Sequence, residues 1–130
     1  MPQSKPHTRS GPQTDRAAVL AKALTRATER VGMASQKDLA TVLGISAPSV
    51  SRLLRGARSL DPDSNEGQRA VLFLRVWRSL DALVGGDEVA AREWFQAHNH
   101  HLGDSPAQRV RTITGLVHVA DYLDAMRGKI

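Results

Sequence analysis

Apolar residues recur along this chain at three- and four-residue intervals with polar residues between them, and no segment keeps the strict alternation of a half-buried strand. The pattern predicts an all-α protein. Leu20, Leu24, Ala27 and Val31 form the stripe of a first helix, with Thr14 as its cap, Asp15 at its positive end and Gly32 as its stop. Ser35 caps a second helix, Gln36 to Leu43, which closes at Gly44. Ser46 caps a third, with Pro48 in the first turn where its missing N–H has no partner to lose, running to about Arg55 and ended by Gly56. After the turn-rich stretch SLDPDSNEG at 59–67, a long segment from about Glu66 to Val84 carries Phe73, Trp77, Leu80 and Val84 on one stripe, widened by Ala70 and Leu74 and stopped by Gly85-Gly86. Asp87 caps a helix to about Ala97, with Val89, Ala90, Glu93, Trp94 and Ala97 on one face and Trp94 as the expected anchor. The polar loop HNHHLGDS leads to a capping box, Ser105-Pro106-Ala107-Gln108, and to a final helix or pair of helices ending at Arg127 and Gly128. Val110, Ile113, Leu116, Val117, Ala120, Leu123 and Met126 are its expected buried side.

Within this series the stretch QKDLATVLGISAPSVSRLLR at 36–55 has the spacing of a helix-turn-helix. Leu39, Ala40 and Leu43 line one side of the first short helix, Gly44 makes the turn, and Ile45, Val50 and Leu53 dock the second helix against it. Such a pair leaves the second helix protruding, so that its N-terminal residues enter a major groove. Ser46, Ala47, Pro48, Ser49, Ser51 and Arg52 then fall on the outward face. Arg52 is the candidate for a guanine, whose O6 and N7 its planar fork can meet together. Ser49 and Ser51 are weaker readers, and Ala47 and Pro48 suit a thymine methyl. Gln36, Lys37, Arg55 and Arg58 fall where phosphates pass, and set affinity and salt dependence rather than sequence choice. The alternative is a plain packing module on which Arg52 and Arg55 are a solvated face. One helix pair binds weakly, so a homodimer reading half-sites about 34 Å apart is expected.

Charge divides the chain in the same way. The first 60 residues carry ten Lys/Arg against three Asp/Glu, and the remaining 70 carry eight against ten, within a net charge of +5. That polarity suits a phosphate-binding module followed by a module for another partner. The expected organisation is a disordered arm at 1–14, a helix-turn-helix region at 15–58, a linker at 59–67 and a second helical domain at 68–130. With no cysteine, neither disulfides nor thiolate metal sites are available. The N-terminal stretch has no apolar core of a secretion signal and no run is long enough to span a bilayer, so the expected location is the cytoplasm, nucleoid-associated when bound to DNA. His98, His100 and His101 do not share a helical face and have no carboxylate pair beside them, so no metal or cofactor is expected. No nucleophile and base are spaced for hydrolysis, and no lysine follows Gly85-Gly86 to make a phosphate loop, so the chain is not expected to be an enzyme.

Periodicity alone does not say what the second domain holds. The order of its features does: WFQAHN at 94–99, HHLGDSP at 100–106, TITG at 112–115, then Val119, Leu123 and Gly128. This set resembles the toxin-binding domain of the Xre/MbcA/ParS family of type II antitoxins, and the helix-turn-helix before it resembles the Xre type. The resemblance implies a partner, a RES-domain toxin that destroys NAD⁺, held in a hetero-oligomer, and operator DNA of the antitoxin's own operon. It implies that Asn99, Leu102, Gly103, Pro106 and Gly115 shape the domain. It also implies a toxin-facing surface on the final helix and tail, with Asp121, Tyr122, Asp124, Arg127, Gly128, Lys129 and Ile130 as candidate contacts. The chain departs from the family in having Ala107 and Gln108 after the proline, and only Lys129 and Ile130 follow Gly128, so the folded surface is expected to do the blocking. The alternative is a stand-alone transcriptional regulator whose C-terminal half dimerises or senses a ligand.

Overall fold

Serine and aspartate caps start most of the helices in this protein. In the computed structural model, which describes residues 12–128, α1 spans Pro12–Arg30, α2 Gln36–Leu43, α3 Ala47–Leu54, α4 Asn65–Leu83, α5 Glu88–Gln96, α6 Pro106–Arg109 and α7 Ile113–Arg127. No strand occurs among the described residues. Ser35, Ser46, Ser64, Asp87, Ser105 and Thr112 each accept a hydrogen bond from the backbone N–H three residues on, satisfying donors that the first helical turn leaves without a partner. The helix α1 begins at Pro12, so Thr14 lies within it rather than capping it, and residues 12–14 are not part of an arm. The expected arm otherwise falls on residues 1–11, outside the described residues, as do Lys129 and Ile130.

The helix α4 is the axis of the molecule: α1, α2, α5 and α7 all pack against it. It therefore buries more than one stripe, and Gly67, Val76 and Ser79 join Ala70, Phe73, Leu74, Trp77 and Leu80 inside. A single hydrophobic cluster runs from Leu24 and Val31 on α1 through Leu43 and Val50 to Phe95, Leu116 and Leu123. The stretch 59–64 is a turn, but Leu60 within it is buried in this same core, and Arg58 and Glu66 on either side are joined at 2.6 Å. The expected linker is thus a pinned corner. The side chain of Gln96 on α5 donates to the Val31 carbonyl at the end of α1 (2.8 Å), and Arg30 lies over the Trp77 ring at 5.7 Å.

Two helices are rotated from their expected faces. On α5, Ala91 and Phe95 point inward while Val89 is exposed and Trp94 half-buried. The cause is tertiary: the Phe95 ring meets Phe73 edge-on, with centroids 6.0 Å apart, and fixes the helix about its axis. On α7, Leu116, Ala120 and Leu123 are buried as expected, as is Val110 before it, and Val119 joins them, whereas Ile113, Val117 and Met126 are exposed. Here Gly115 decides. A Cβ at that position would lie 1.7 Å from the Arg109 carbonyl oxygen, so only the hydrogen of glycine lets the first turn of α7 press against the end of α6. The loop between α5 and α6 closes on itself, with the Asn99 side-chain oxygen accepting from His101 N (2.9 Å) and Leu102 N (3.1 Å), and Leu102 is buried beneath it.

Candidate nucleic-acid interface and partner surface

The helix pair α2–α3 is packed as one unit. Leu39, Val42 and Leu43 of α2 and Val50 and Leu53 of α3 are buried between them and the rest of the core, with Ala40 and Ile45 packed at the edge. Val42 is an addition to the expected set. At the turn, Gly44 takes φ 72°, ψ 32°, a left-handed conformation that a side chain disfavours. Ser46, Ala47, Pro48 and Arg52 are exposed on the outward side of α3, Ser51 is half-buried, and Gln36 and Lys37 are exposed at the start of α2 with Arg55 exposed just past α3.

Two of the expected DNA contacts are placed differently. Ser49 is only 7% exposed. Its hydroxyl accepts from Ser46 Oγ at 2.9 Å and from Arg52 Nη2 at 3.1 Å, so it does not face outward. Its position supports Arg52, drawing the guanidinium back over the N-terminal turn of α3, the part that enters a groove. Arg58 is committed to Glu66, whose carboxyl is held below the usual carboxylate range by a hydrogen bond from its own backbone N–H and by Arg58, so its charge is neutralised within the fold.

Sequence reading missed the residues that hold α2. Arg69 on α4 donates through Nε to the Val42 carbonyl (2.8 Å) and through Nη2 to the carbonyls of Thr41 (3.2 Å) and Arg111 (3.3 Å). A cation thus sits at the C-terminal end of α2, where the helix dipole and orphan carbonyls favour it. At the other end, Arg111, between α6 and α7, reaches Asp38 in the first turn of α2 at 3.1 Å. These partners lie 27 to 73 residues apart, beyond any periodicity. Arg69→Ala is expected to cost about 2 kcal/mol of stability, the scale of charged hydrogen bonds lost with their acceptors left behind, and to weaken operator binding several-fold. Thermal unfolding beside a duplex titration checks both.

On the partner side the expected contacts are largely occupied within the chain. Arg75 on α4 bonds Asp121 (3.3 Å) and Asp124 (Nε to Oδ2, 2.8 Å), Ser79 donates to the other Asp124 oxygen (2.9 Å), and Arg127 donates to Ser79 (3.3 Å). The Asp124 carboxyl is held below its ordinary range, chiefly by the hydrogen bond from Arg75. A depressed folded pKa contributes stability above the unfolded carboxylate value, lost as pH falls through the folded one; with both groups solvent-exposed the contribution is small. Tyr122 is half-buried and stacks on His101, centroids 5.8 Å apart. Gly128 closes α7. Among the described residues no group of three or more His, Cys, Asp or Glu is placed to hold a metal ion, and no helix is long and apolar enough to cross a membrane.

This arrangement can present a protruding α3 to a duplex and a helical surface to a protein, and the comparisons agree. Residues 11–75 match the family model described as the antitoxin Xre-like helix-turn-helix domain. Residues 79–129 match that of the antitoxin Xre/MbcA/ParS C-terminal toxin-binding domain. No curated protein matched the chain. Both families are non-enzymatic. The two matched segments meet inside α4, and together they show that the chain belongs to the Xre/MbcA/ParS antitoxins, which join an Xre-like helix-turn-helix to a toxin-binding domain.

Proposed function

We propose that this antitoxin neutralises a RES-type, NAD⁺-destroying toxin by direct binding through its C-terminal half, and represses its own operon by placing α3 in the major groove of the operator. The observation that carries the DNA half is the exposed N-terminal turn of α3, Ser46 to Pro48 with Arg52 drawn over it, in the half of the chain that holds the excess of positive charge. In this reading the protein acts as a homodimer in the cytoplasm, on the nucleoid when bound to DNA, and as a hetero-oligomer with the toxin. Gln36, Lys37 and Arg55 contact phosphates, and Ser46, Ala47, Pro48, Ser51 and Arg52 meet bases. The choice of a RES partner rests on the family resemblance of residues 94–128.

Two substitutions separate reading from gripping. Arg52→Ala is expected to weaken operator binding by about 1–3 kcal/mol and to relax preference at one base pair, whereas Lys37→Ala weakens all duplexes alike and lowers the salt slope by about 1. Unchanged titration by Arg52→Ala would remove α3 as the reader. For the partner half, the product of the adjacent reading frame, expressed alone, is expected to deplete NAD⁺ and stop growth, and co-expression of this chain to restore it. A neighbour that binds the chain but leaves NAD⁺ intact would exclude a RES toxin.

A further inference from the structure

Of the seven large apolar side chains exposed among the described residues, four fall on one face made by α1, α4 and α7: Val19 (67% exposed), Val71 (48%), Ile113 (45%) and Val117 (42%). The register follows from the polar contacts. Arg69 meets Arg111, Arg75 meets Asp121 and Ser79 meets Asp124, so α4 and α7 run side by side in the same direction. Val71 lies one turn before Arg75 and Val117 one turn before Asp121, which sets the two valines next to each other. Ile113 is a further turn back along the same side of α7. On the far side of Val71, a groove between α1 and α4 is lined by Val19, Ala23, Leu74 and Pro62.

Resting on the antitoxin reading above, we propose that Ile113 and Val117, with Val71 beside them, form the apolar centre of the toxin-docking surface. This centre lies on the N-terminal half of α7, one to two turns before Asp121. Three observations favour the toxin as occupant. First, the segment that matches the toxin-binding domain, residues 79–129, exposes four large apolar side chains, Val89, Ile113, Val117 and Met126, and of these only Ile113 and Val117 sit one turn apart on the same helix face. A protein interface needs a desolvated apolar centre with a polar rim. Second, the charged side chains at the other end of α7 already satisfy one another: Asp121 and Asp124 hold Arg75, and Arg127 donates to Ser79. Third, Arg75 and Arg127 balance Asp121 and Asp124, so these apolar side chains are bordered on that side by a polar rim of mixed charge. The matching toxin surface is therefore an apolar side chain with a polar border.

The test is a binding titration of full-length chain with a catalytically inactive form of the product of the adjacent reading frame. Ile113→Asp and Val117→Asp are expected to weaken this complex on the order of 100-fold each, the scale of a hot-spot side chain, and to abolish growth rescue. Their operator binding and thermal midpoint should stay near those of the native chain, and Val89→Asp should bind the toxin as the native chain does. Toxin binding by both variants within threefold of the native value would overturn this placement while leaving the antitoxin reading intact. So would loss of self-association with toxin binding kept, which would make the face a contact between copies. A native chain that does not bind the product at all would overturn the reading and the placement with it.

Discussion

Phe73→Ala is expected to destabilise the protein by about 3–5 kcal/mol and to lower its thermal midpoint by about 10–20 °C, with DNA binding and toxin binding lost together. Phe73 is fully buried at the middle of α4, edge-on to Phe95 of α5. It lies near the point where the two family matches meet, between residues 75 and 79. A domain of this size is stable by only about 5–15 kcal/mol, so losing that ring removes a large share. Because one cluster joins α1, α3, α4, α5 and α7, the helical signal should fall in a single transition. Two separated transitions, or a variant that keeps operator affinity while the C-terminal half melts, would show two independent bodies instead.

The second large effect is expected at Gly115. In a helix, Gly→Ala is ordinarily favourable by about 1 kcal/mol. Here the added Cβ would stand 1.7 Å from the Arg109 carbonyl oxygen and 2.6 Å from its carbon, backbone atoms that have no rotamer with which to move aside. Steric cost should win, giving a net loss of about 3 kcal/mol, the upper end of ordinary overpacking. Prising α7 from α6 also displaces the segment from which Arg111 holds Asp38, so operator binding should weaken although Gly115 is remote from α3. Thr114→Ala, at an exposed neighbour, should change stability by less than about 0.5 kcal/mol. Denaturant unfolding of the two variants decides: equal midpoints would mean that the close approach of α6 and α7 is not needed.

What the sequence reveals and what it hides follow a physical line. The caps Ser35, Ser46, Asp87 and Ser105, the left-handed stop at Gly44 and the span of α2 are local events, set by hydrogen bonds three residues long, and they are legible. The rotation of a helix about its own axis is not local. On α5 and α7 the apolar residues are dense enough to permit more than one face, and the choice between Trp94 and Phe95, or between Val117 and Val119, is made by Phe73 and by the Arg109 carbonyl. The candidate DNA face divides the same way. Ser46, Pro48 and Arg52 follow from counting along α3. The inward turn of Ser49 depends on a side-chain network, and the loss of Arg58 to Glu66 depends on a corner that folds back. Arg69 and Arg111 leave no mark in the pattern, since the helix they hold is distant in sequence and their own positions are simply polar.

The α2 clamp gives the fold a functional consequence. Both ends of the helix that carries α3 are held by arginines from outside the helix pair, one of them from the toxin-binding segment. The orientation of α3 is therefore set by the same core that packs α7.

The central claim is that the N-terminal half grips specific DNA while the C-terminal half serves a protein partner. It is tested most directly by titrating the purified chain onto a duplex from its own promoter and onto a scrambled duplex across a salt series. The account requires binding to both at low ionic strength, steep weakening as salt rises, and a preference for the promoter that persists at higher salt. Absence of binding to the promoter duplex at low salt, or identical curves for the two duplexes at every salt concentration, would contradict it.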